Sequence, residues 1–272
     1  MPSIHIDYSR CVGDGICAEI CPLKLYRMED NKPQLLKGAG AFCIACGHCV
    51  AACPKGAIAL EGMTPDDCTP VEPGLRISAD AAEHFLMRRR STRAYKPAPV
   101  ARHVLEEVLD LSRWAPSASN RQPVKWIMFE KPEEVRKVAE LVIHWMKDMM
   151  AQDMEAAKKQ RLPGLVSLFM AGQDMICRGA PHLLLAHAPA GVPFMAQDCT
   201  AAITYVELAA LARDLGTCWA GYVTWAANNS AELRTLLELS EEDQVYGAIL
   251  LGYPKYRYSR IPERFAPSVR WR

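Results

Sequence analysis

The stretch that most constrains this chain is short. Residues 43 to 54 read Cys-Ile-Ala-Cys-Gly-His-Cys-Val-Ala-Ala-Cys-Pro, which sets Cys43, Cys46, Cys49 and Cys53 at the spacing C-x2-C-x2-C-x3-C-P. Gaps of two residues turn three thiolates toward one point, as a cubane iron–sulfur cluster requires, and the turn before the proline aims the fourth at a second cluster. An earlier stretch repeats the pattern with one change. Cys11, Asp14, Cys17 and Cys21 precede Pro22, so Asp14 stands where a second cysteine would be. The two halves therefore interleave. Cys21, Cys43, Cys46 and Cys49 are expected to hold a 4Fe–4S cluster; Cys11, Cys17 and Cys53, with or without Asp14, are expected to hold a 3Fe–4S or 4Fe–4S cluster. A carboxylate is a harder and more labile iron ligand than a thiolate, and spacing alone does not choose between these. The competing reading is a pair of structural zinc sites, but zinc rarely uses four cysteines packed so closely and has no need of the prolines.

Seven of the eleven cysteines (11, 17, 21, 43, 46, 49, 53) lie before residue 62 and four (68, 177, 199, 218) after it. An odd count in the first segment argues against a disulfide framework and for metal ligation. Over roughly residues 3 to 60 the pattern resembles the bacterial two-cluster ferredoxins, including Ile6-Asp7 before the first cysteine and Gly47 inside the second motif. A segment of this size has a marginal core, so cluster formation is expected to contribute much of its folding free energy.

The chain changes character near residue 62. We expect a two-cluster domain over 1–62, a linker over 63–79 with Pro65, Pro70 and Pro73, and a second domain over 80–272. Asp80 with Glu83 reads as a capping box opening a helix that ends at Arg88, Arg89 and Arg90. Val100, Val104, Leu105, Val108 and Leu109 mark a second helix, Val124 to Phe129 a strand, and Glu133 to about Gln160 one long helix. Met146, Met149, Met150 and Met154 on that helix read as core filling. His182 to Ala188 is an apolar strand, Gln197 to Leu215 a buried helix closed by Gly216, and Val245 to Tyr253 a last strand. Helices interspersed with a few strands give an α+β domain. Cys177, Cys199 and Cys218 sit in apolar runs and read as inert thiols, and neither His48 nor His187 has liganding spacing.

Thirty-two Lys and Arg against 31 Asp and Glu leave a formal charge of +1, so a strongly basic surface for nucleic acid is not expected. No run approaches the ~18 apolar residues of a membrane span, and the opening MPSIHIDYSR lacks the apolar stretch of an export signal. Those features read as a cytoplasmic chain with neither nucleic-acid nor membrane partners.

In the second domain three polar stretches stand out: Arg89-Arg90-Ser91-Thr92-Arg93; Pro116-Ser117-Ala118-Ser119-Asn120-Arg121-Gln122-Pro123; and Tyr253-Pro254-Lys255 running to Arg260. Guanidinium groups bind a phosphate bidentately, and hydroxyls and amides suit the polar edges of a ribityl chain and ring. Together they read as a flavin mononucleotide site. With Gly221-Tyr222 between the second and third stretches, the order resembles the nitroreductase family over nearly all of 80–265.

That resemblance implies an α+β, FMN-binding fold built as an intertwined homodimer. It places the FMN phosphate and nearby polar groups at Arg89, Ser91, Arg93 and Arg260, with a backbone contact from Arg90. Pro116, Ser117, Ser119, Asn120 and Gln122 would line the flavin from the partner subunit, and Ala220 and Gly221 would approach the ring. Two departures stand out: Val124 replaces an aromatic after Gln122-Pro123, and Cys218-Trp219 lacks the acid some members carry near the ring. No dinucleotide fingerprint is present, since Gly38-Ala39-Gly40 runs into Cys43 without a third glycine.

The function these readings imply is an FMN-dependent reductase that takes electrons through its iron–sulfur clusters and reduces a small organic acceptor of nitroaromatic, quinone or enone type. Its donor would be ferredoxin, flavodoxin or NAD(P)H. The alternative is an electron-transfer flavoprotein module that relays electrons between protein partners.

Overall fold

A computed structural model describes residues 3–272. The described residues divide into two compact units, one formed by residues 3–77 with Ala118–Arg121, the other by Ser78–Ser117 with Gln122–Arg272.

The first unit is built by one motif used twice. Strand β1 (Ile4–Ile6) leads to helix α1 (Ile16–Ile20), the hairpin β2 (Tyr26–Glu29) and β3 (Lys32–Leu35), helix α2 (Ala39–Phe42), helix α3 (His48–Ala52) and strand β4 (Ile58–Leu60). β1 pairs antiparallel with β4, Ile4 against Leu60, and β2 with β3, Tyr26 against Leu35. Each short helix starts from a left-handed glycine, Gly15 at φ 75° and Gly47 at φ 73°, where a side chain would be strained. Each ends at a cysteine in extended conformation, Cys21 and Cys53, because the following proline disfavours the helical region for the residue before it. Ile6, Leu25, Tyr26, Val50, Ile58 and Leu60 close a small core between these elements.

The segment expected as a linker is only partly loose. Leu60 bridges Met63, and Thr64 with Asp67 form a reciprocal cap, Thr64 N donating to Asp67 Oδ2 at 2.7 Å. Met63 packs on the small core, so residues 63–77 group with the first unit.

The second unit centres on a four-stranded antiparallel sheet in the order β5 (Lys125–Phe129), β6 (His182–Pro189), β8 (Asp243–Gly252), β7 (Gly216–Trp219). Around it run α4 (Ala79–Arg88), α5 (Arg102–Asp110), α6 (Pro132–Gln152), α7 (Met154–Lys159), α8 (Leu162–Met170), α9 (Met195–Ala212), α10 (Gly221–Asn229) and α11 (Ala231–Leu236). β6 and β8 are apolar at nearly every position because both faces are covered. Leu183, Leu185, Ala248 and Leu250 face one core with Val138, Val142 and Met146 of α6; Leu184, Ala186, Ile249 and Leu251 face another with Ile203 and Val206 of α9.

Several expected boundaries move, each for a local reason. α4 is capped by Ser78, whose Oγ accepts from Ala81 N at 3.2 Å, and not by an Asp80–Glu83 box; Asp80 sits in the first turn, where the dipole favours it. The long helix breaks at Asp153, whose extended backbone lets its Oδ1 accept from Ala156 N at 2.9 Å and open α7. Of the four methionines, Met146 is buried, Met149 and Met150 are partly buried and Met154 is exposed. α9 ends through a left-handed Asp214 and not at Gly216. Gly216 instead begins β7, where a Cβ would run into the Thr92 side chain. β7, α8, α10 and α11 were not among the elements read from the sequence.

Candidate functional site: two cysteine cavities and a basic cleft

In the first unit the eight expected ligand positions fall into two groups. Cys21, Cys43, Cys46 and Cys49 line one small cavity; Cys11, Asp14, Cys17 and Cys53 line another. Interleaving arises because each extended Cys-Pro turn carries the last cysteine of one motif away from its own helix. The sulfur there is met by a backbone donor in both halves, Leu25 N to Cys21 Sγ at 3.5 Å and Ala57 N to Cys53 Sγ at 3.3 Å. Among the described residues, no three His, Cys, Asp or Glu side chains close on a single ion. Each group of four borders a small cavity.

Two further observations test the fit of a cluster. Tyr26, 6% exposed, lines the first cavity, and its hydroxyl is buried and makes no full hydrogen bond. Burial pushes the Cys17 and Cys49 thiols up, and a cation bound in the cavity would favour their thiolates. The residues therefore fit an iron–sulfur group. Asp14 has a local role whatever else it does: its Oδ1 accepts from Ile16 N at 3.1 Å, at the start of α1.

In the second unit the three polar stretches are drawn together in part. Thr92 N donates to Thr217 O at 2.8 Å, and Ser91 bridges Thr217, fixing residues 89–93 beside β7. Lys96 N to Tyr253 O at 2.8 Å and Lys255 N to Ala94 O at 2.9 Å tie the chain after β8 to the same stretch. Arg90 and Arg260 thereby line one cleft of about 390 Å³ with Arg88, Lys96 and Arg257. Burial, then the neighbouring Arg264 and Arg89, holds the Arg90 guanidinium below its ordinary value. Asp214 lines the same cleft, and Arg90 Nε donates to Arg89 O at 2.6 Å, so the lining carries a surplus of positive charge that suits a phosphate monoester.

The other expected residues lie elsewhere. Arg93 is exposed, and Arg89 turns its Nη1 to within 3.5 Å of Glu207 Oε1. Pro116, Ser117 and Gln122 line a different cavity of about 470 Å³ with Trp126. Ser119 and Asn120 group with the first unit, both with left-handed backbones, and Asn120 Nδ2 donates to Ile44 O at 3.2 Å and Ala45 O at 3.0 Å. Ala220, 5% exposed, caps α10, and Gly221 is its first residue.

Three features escaped the sequence reading. The Cys218–Trp219 segment has no acid of its own, but Glu207 reaches it from α9, accepting from Thr217 Oγ1 at 2.9 Å and Trp219 Nε1 at 3.1 Å. A carboxylate inside the apolar run 195–212 was the available signal, since buried charges are retained where they are paired. His187 Nδ1 lies 3.0 Å from Asp243 Oδ2, where β6 shifts register after Ala186, and Lys125 Nζ lies 3.1 Å from the same oxygen. Third is the Tyr26 hydroxyl described above. Cys177, Cys199 and Cys218 are buried, with burial pushing the Cys199 thiol up to about 12.

Residues 86–253 match the Nitroreductase family. The chain belongs to the nitroreductase family. Residues 3–54 match the 4Fe-4S dicluster domain, so this nitroreductase carries a ferredoxin-type domain at its N-terminal side. A protein of Archaeoglobus fulgidus named for NADH dehydrogenase and NAD(P)H nitroreductase is 27% identical over 186 residues, 68% of this chain and 92% of that one. An uncharacterized ferredoxin of Methanocaldococcus jannaschii is 42% identical over 53 residues, 20% of this chain and 33% of its own length. A Bacteroides fragilis nitroreductase solved with bound FMN shares the fold at a TM-score of 0.55 and 19% identity, covering 68% of this chain and 94% of that one. The expected α+β fold with a small ferredoxin-type domain before it is thus the one this oxidoreductase has. No helix among the described residues is long and apolar enough to cross a membrane.

Proposed function

We propose that this nitroreductase binds FMN and takes electrons through two iron–sulfur clusters to reduce a small organic acceptor of nitroaromatic, quinone or enone type. The carrying observation is that one chain contains both donor sets: eight cluster-ligand positions lining two cavities, and a cleft where Arg90 and Arg260 converge. FMN supplies the conversion between the single electrons of a cluster and the two-electron chemistry of an organic acceptor.

Cys21, Cys43, Cys46 and Cys49 would hold the 4Fe–4S cluster. Cys11, Cys17 and Cys53, with Asp14 beside them, would hold the second. Arg90 and Arg260, joined by Ser91 and the neighbouring Arg89 and Arg93, would carry the phosphate. Ala220 and Gly221 would present backbone to the ring. Pro116, Ser117 and Gln122 line a separate cavity, and this division supports a homodimer in which one copy's loop completes the other's flavin site. The donor would be ferredoxin, flavodoxin or NAD(P)H. Seven cysteines held as cluster thiolates and four further unpaired ones, Cys68, Cys177, Cys199 and Cys218, suit a reducing, cytoplasmic compartment.

Because both units belong to one chain, tethering gives the clusters a high effective concentration toward the flavin. The test is anaerobic reduction of the loaded protein by each donor, followed by turnover against an acceptor panel, in wild type and Cys46→Ala. The variant should keep FMN and its photochemical reduction while losing most reduction by a ferredoxin-type donor. Unchanged donor-driven turnover would make the clusters structural only. Reduction of the flavin without turnover of any acceptor would favour the electron-relay reading.

A further inference from the structure

Tyr26 is the first residue of β2, paired with Leu35, and its ring is buried in the small core of the first unit beside Cys17, Cys21 and Val50. The hydroxyl ends against the cavity lined by Cys21, Cys43, Cys46 and Cys49, facing the Cys49 thiol. It has no solvent exposure and makes no full hydrogen bond among the described residues; the group it addresses is the Cys49 sulfur. Buried hydroxyls are almost always paired, and phenylalanine would fill the same space without leaving a donor unmet. A thiol is a weak acceptor, and the tyrosine is better explained by a stronger one at the same place when the cavity is filled. Iron-bound thiolates and bridging sulfides are such acceptors, and an O–H donated to them favours the more electron-rich state of a cluster.

No tyrosine lines the second cavity. Val12, Pro33, Ala57 and Ile58 surround Cys11, Asp14, Cys17 and Cys53 there. The two halves share backbone geometry but not this donor.

Resting on the reading that these cysteines hold a cluster, we propose that the Tyr26 hydroxyl donates a hydrogen bond to the sulfur of that cluster, at or next to Cys49, and raises its reduction potential. Tyr26 is a tuning residue, and it makes the two clusters of this protein unequal. Ring and backbone contacts stay in place when the hydroxyl alone is removed, so the effect separates from folding.

The experiment compares full-length wild type and Tyr26→Phe, both reconstituted anaerobically with iron and sulfide. Metal and sulfide content are measured first, and each cluster is then followed by a redox titration monitored by electron paramagnetic resonance. At a fixed potential, the reduced-to-oxidised ratio of the Cys21/Cys43/Cys46/Cys49 cluster should fall about tenfold in the variant, equivalent to about 59 mV for one electron. The other cluster should titrate as in wild type. After exchange into deuterated water, a deuteron coupling to the first cluster should be present in wild type and missing in Tyr26→Phe. Full cluster content with unchanged potential and coupling would overturn the proposal, as would an equal shift of both clusters. Wild-type protein that takes up no iron and sulfide would instead overturn the cluster reading beneath it.

Discussion

The indole Nε1 of Trp219 donates a 3.1 Å hydrogen bond to Oε2 of Glu207, a carboxylate 6% exposed inside the second unit. The other oxygen accepts from Thr217 at 2.9 Å and lies 3.5 Å from the Arg89 guanidinium. One buried anion thus joins the arginine-rich stretch to two positions of β7. Glutamine in its place would present an amide donor to a group that is itself a donor. Glu207→Gln should therefore cost about 1–3 kcal/mol in chemical denaturation. A variant within about 0.5 kcal/mol of wild type, as surface changes usually are, would show the node to be dispensable.

Arg260 and Arg90 share a cleft with three further cations, and a charge-assisted hydrogen bond is worth about 1.5–3 kcal/mol. Arg260→Ala should weaken FMN by about ten- to a hundredfold at about 1.4 kcal/mol per tenfold. Flavin fluorescence titration of the apoprotein measures this directly. Wild-type affinity in the variant would move the phosphate elsewhere.

Asp14 lines its cavity with three thiols and also holds Ile16 N. In aerobically purified protein, this half should carry a three-iron cluster, or a four-iron one that sheds an iron readily, with a paramagnetic signal in the oxidised state. Asp14→Cys should convert it to a stable four-iron cluster and remove that signal. Oxidised wild type that stays diamagnetic in air with two complete four-iron clusters would refute the assignment.

The pairing of Asp243 with Lys125 and His187 predicts a pH response. Burial pushes the Asp243 carboxyl up, but hydrogen bonds and charge from Lys125 and then His187 outweigh it and hold it below the ordinary 3.8. A carboxyl lowered on folding contributes stability that is complete above 3.8 and lost as pH falls through the folded-state value. Acid unfolding of wild type should accordingly steepen below about pH 4 relative to Asp243→Asn. Parallel curves for the two proteins would rule the pair out as a source of acid lability.

Much of the first unit could be read from a line of text because its information is local. The spacing of Cys43, Cys46, Cys49 and Cys53, the prolines after Cys21 and Cys53, and the glycines before α1 and α3 each act within a few residues. Turn geometry alone then carries a fourth cysteine across to the other cavity. The long apolar runs 182–188 and 245–253 were legible as strands for the same reason, and so was the buried helix between them, though not its end. Boundaries failed where two short-range signals compete: Ser78 against Asp80 for one cap, and Asp153 stopping one helix in order to start another.

What only the tertiary structure decided is which distant groups meet. Glu207 and Trp219 lie on a helix and on a strand that packs against it, and no periodicity links them. His187 reaches Asp243 because β6 slips register by a residue against β8. The residues read together as a flavin site separate into Arg90 with Arg260 in one cleft, Pro116, Ser117 and Gln122 in another, and Asn120 with the first unit. Residue type and spacing determine what chemistry a segment can perform. Which segments face one another is set by burying both sides of the central sheet, a cooperative requirement of the whole chain that no single stretch records.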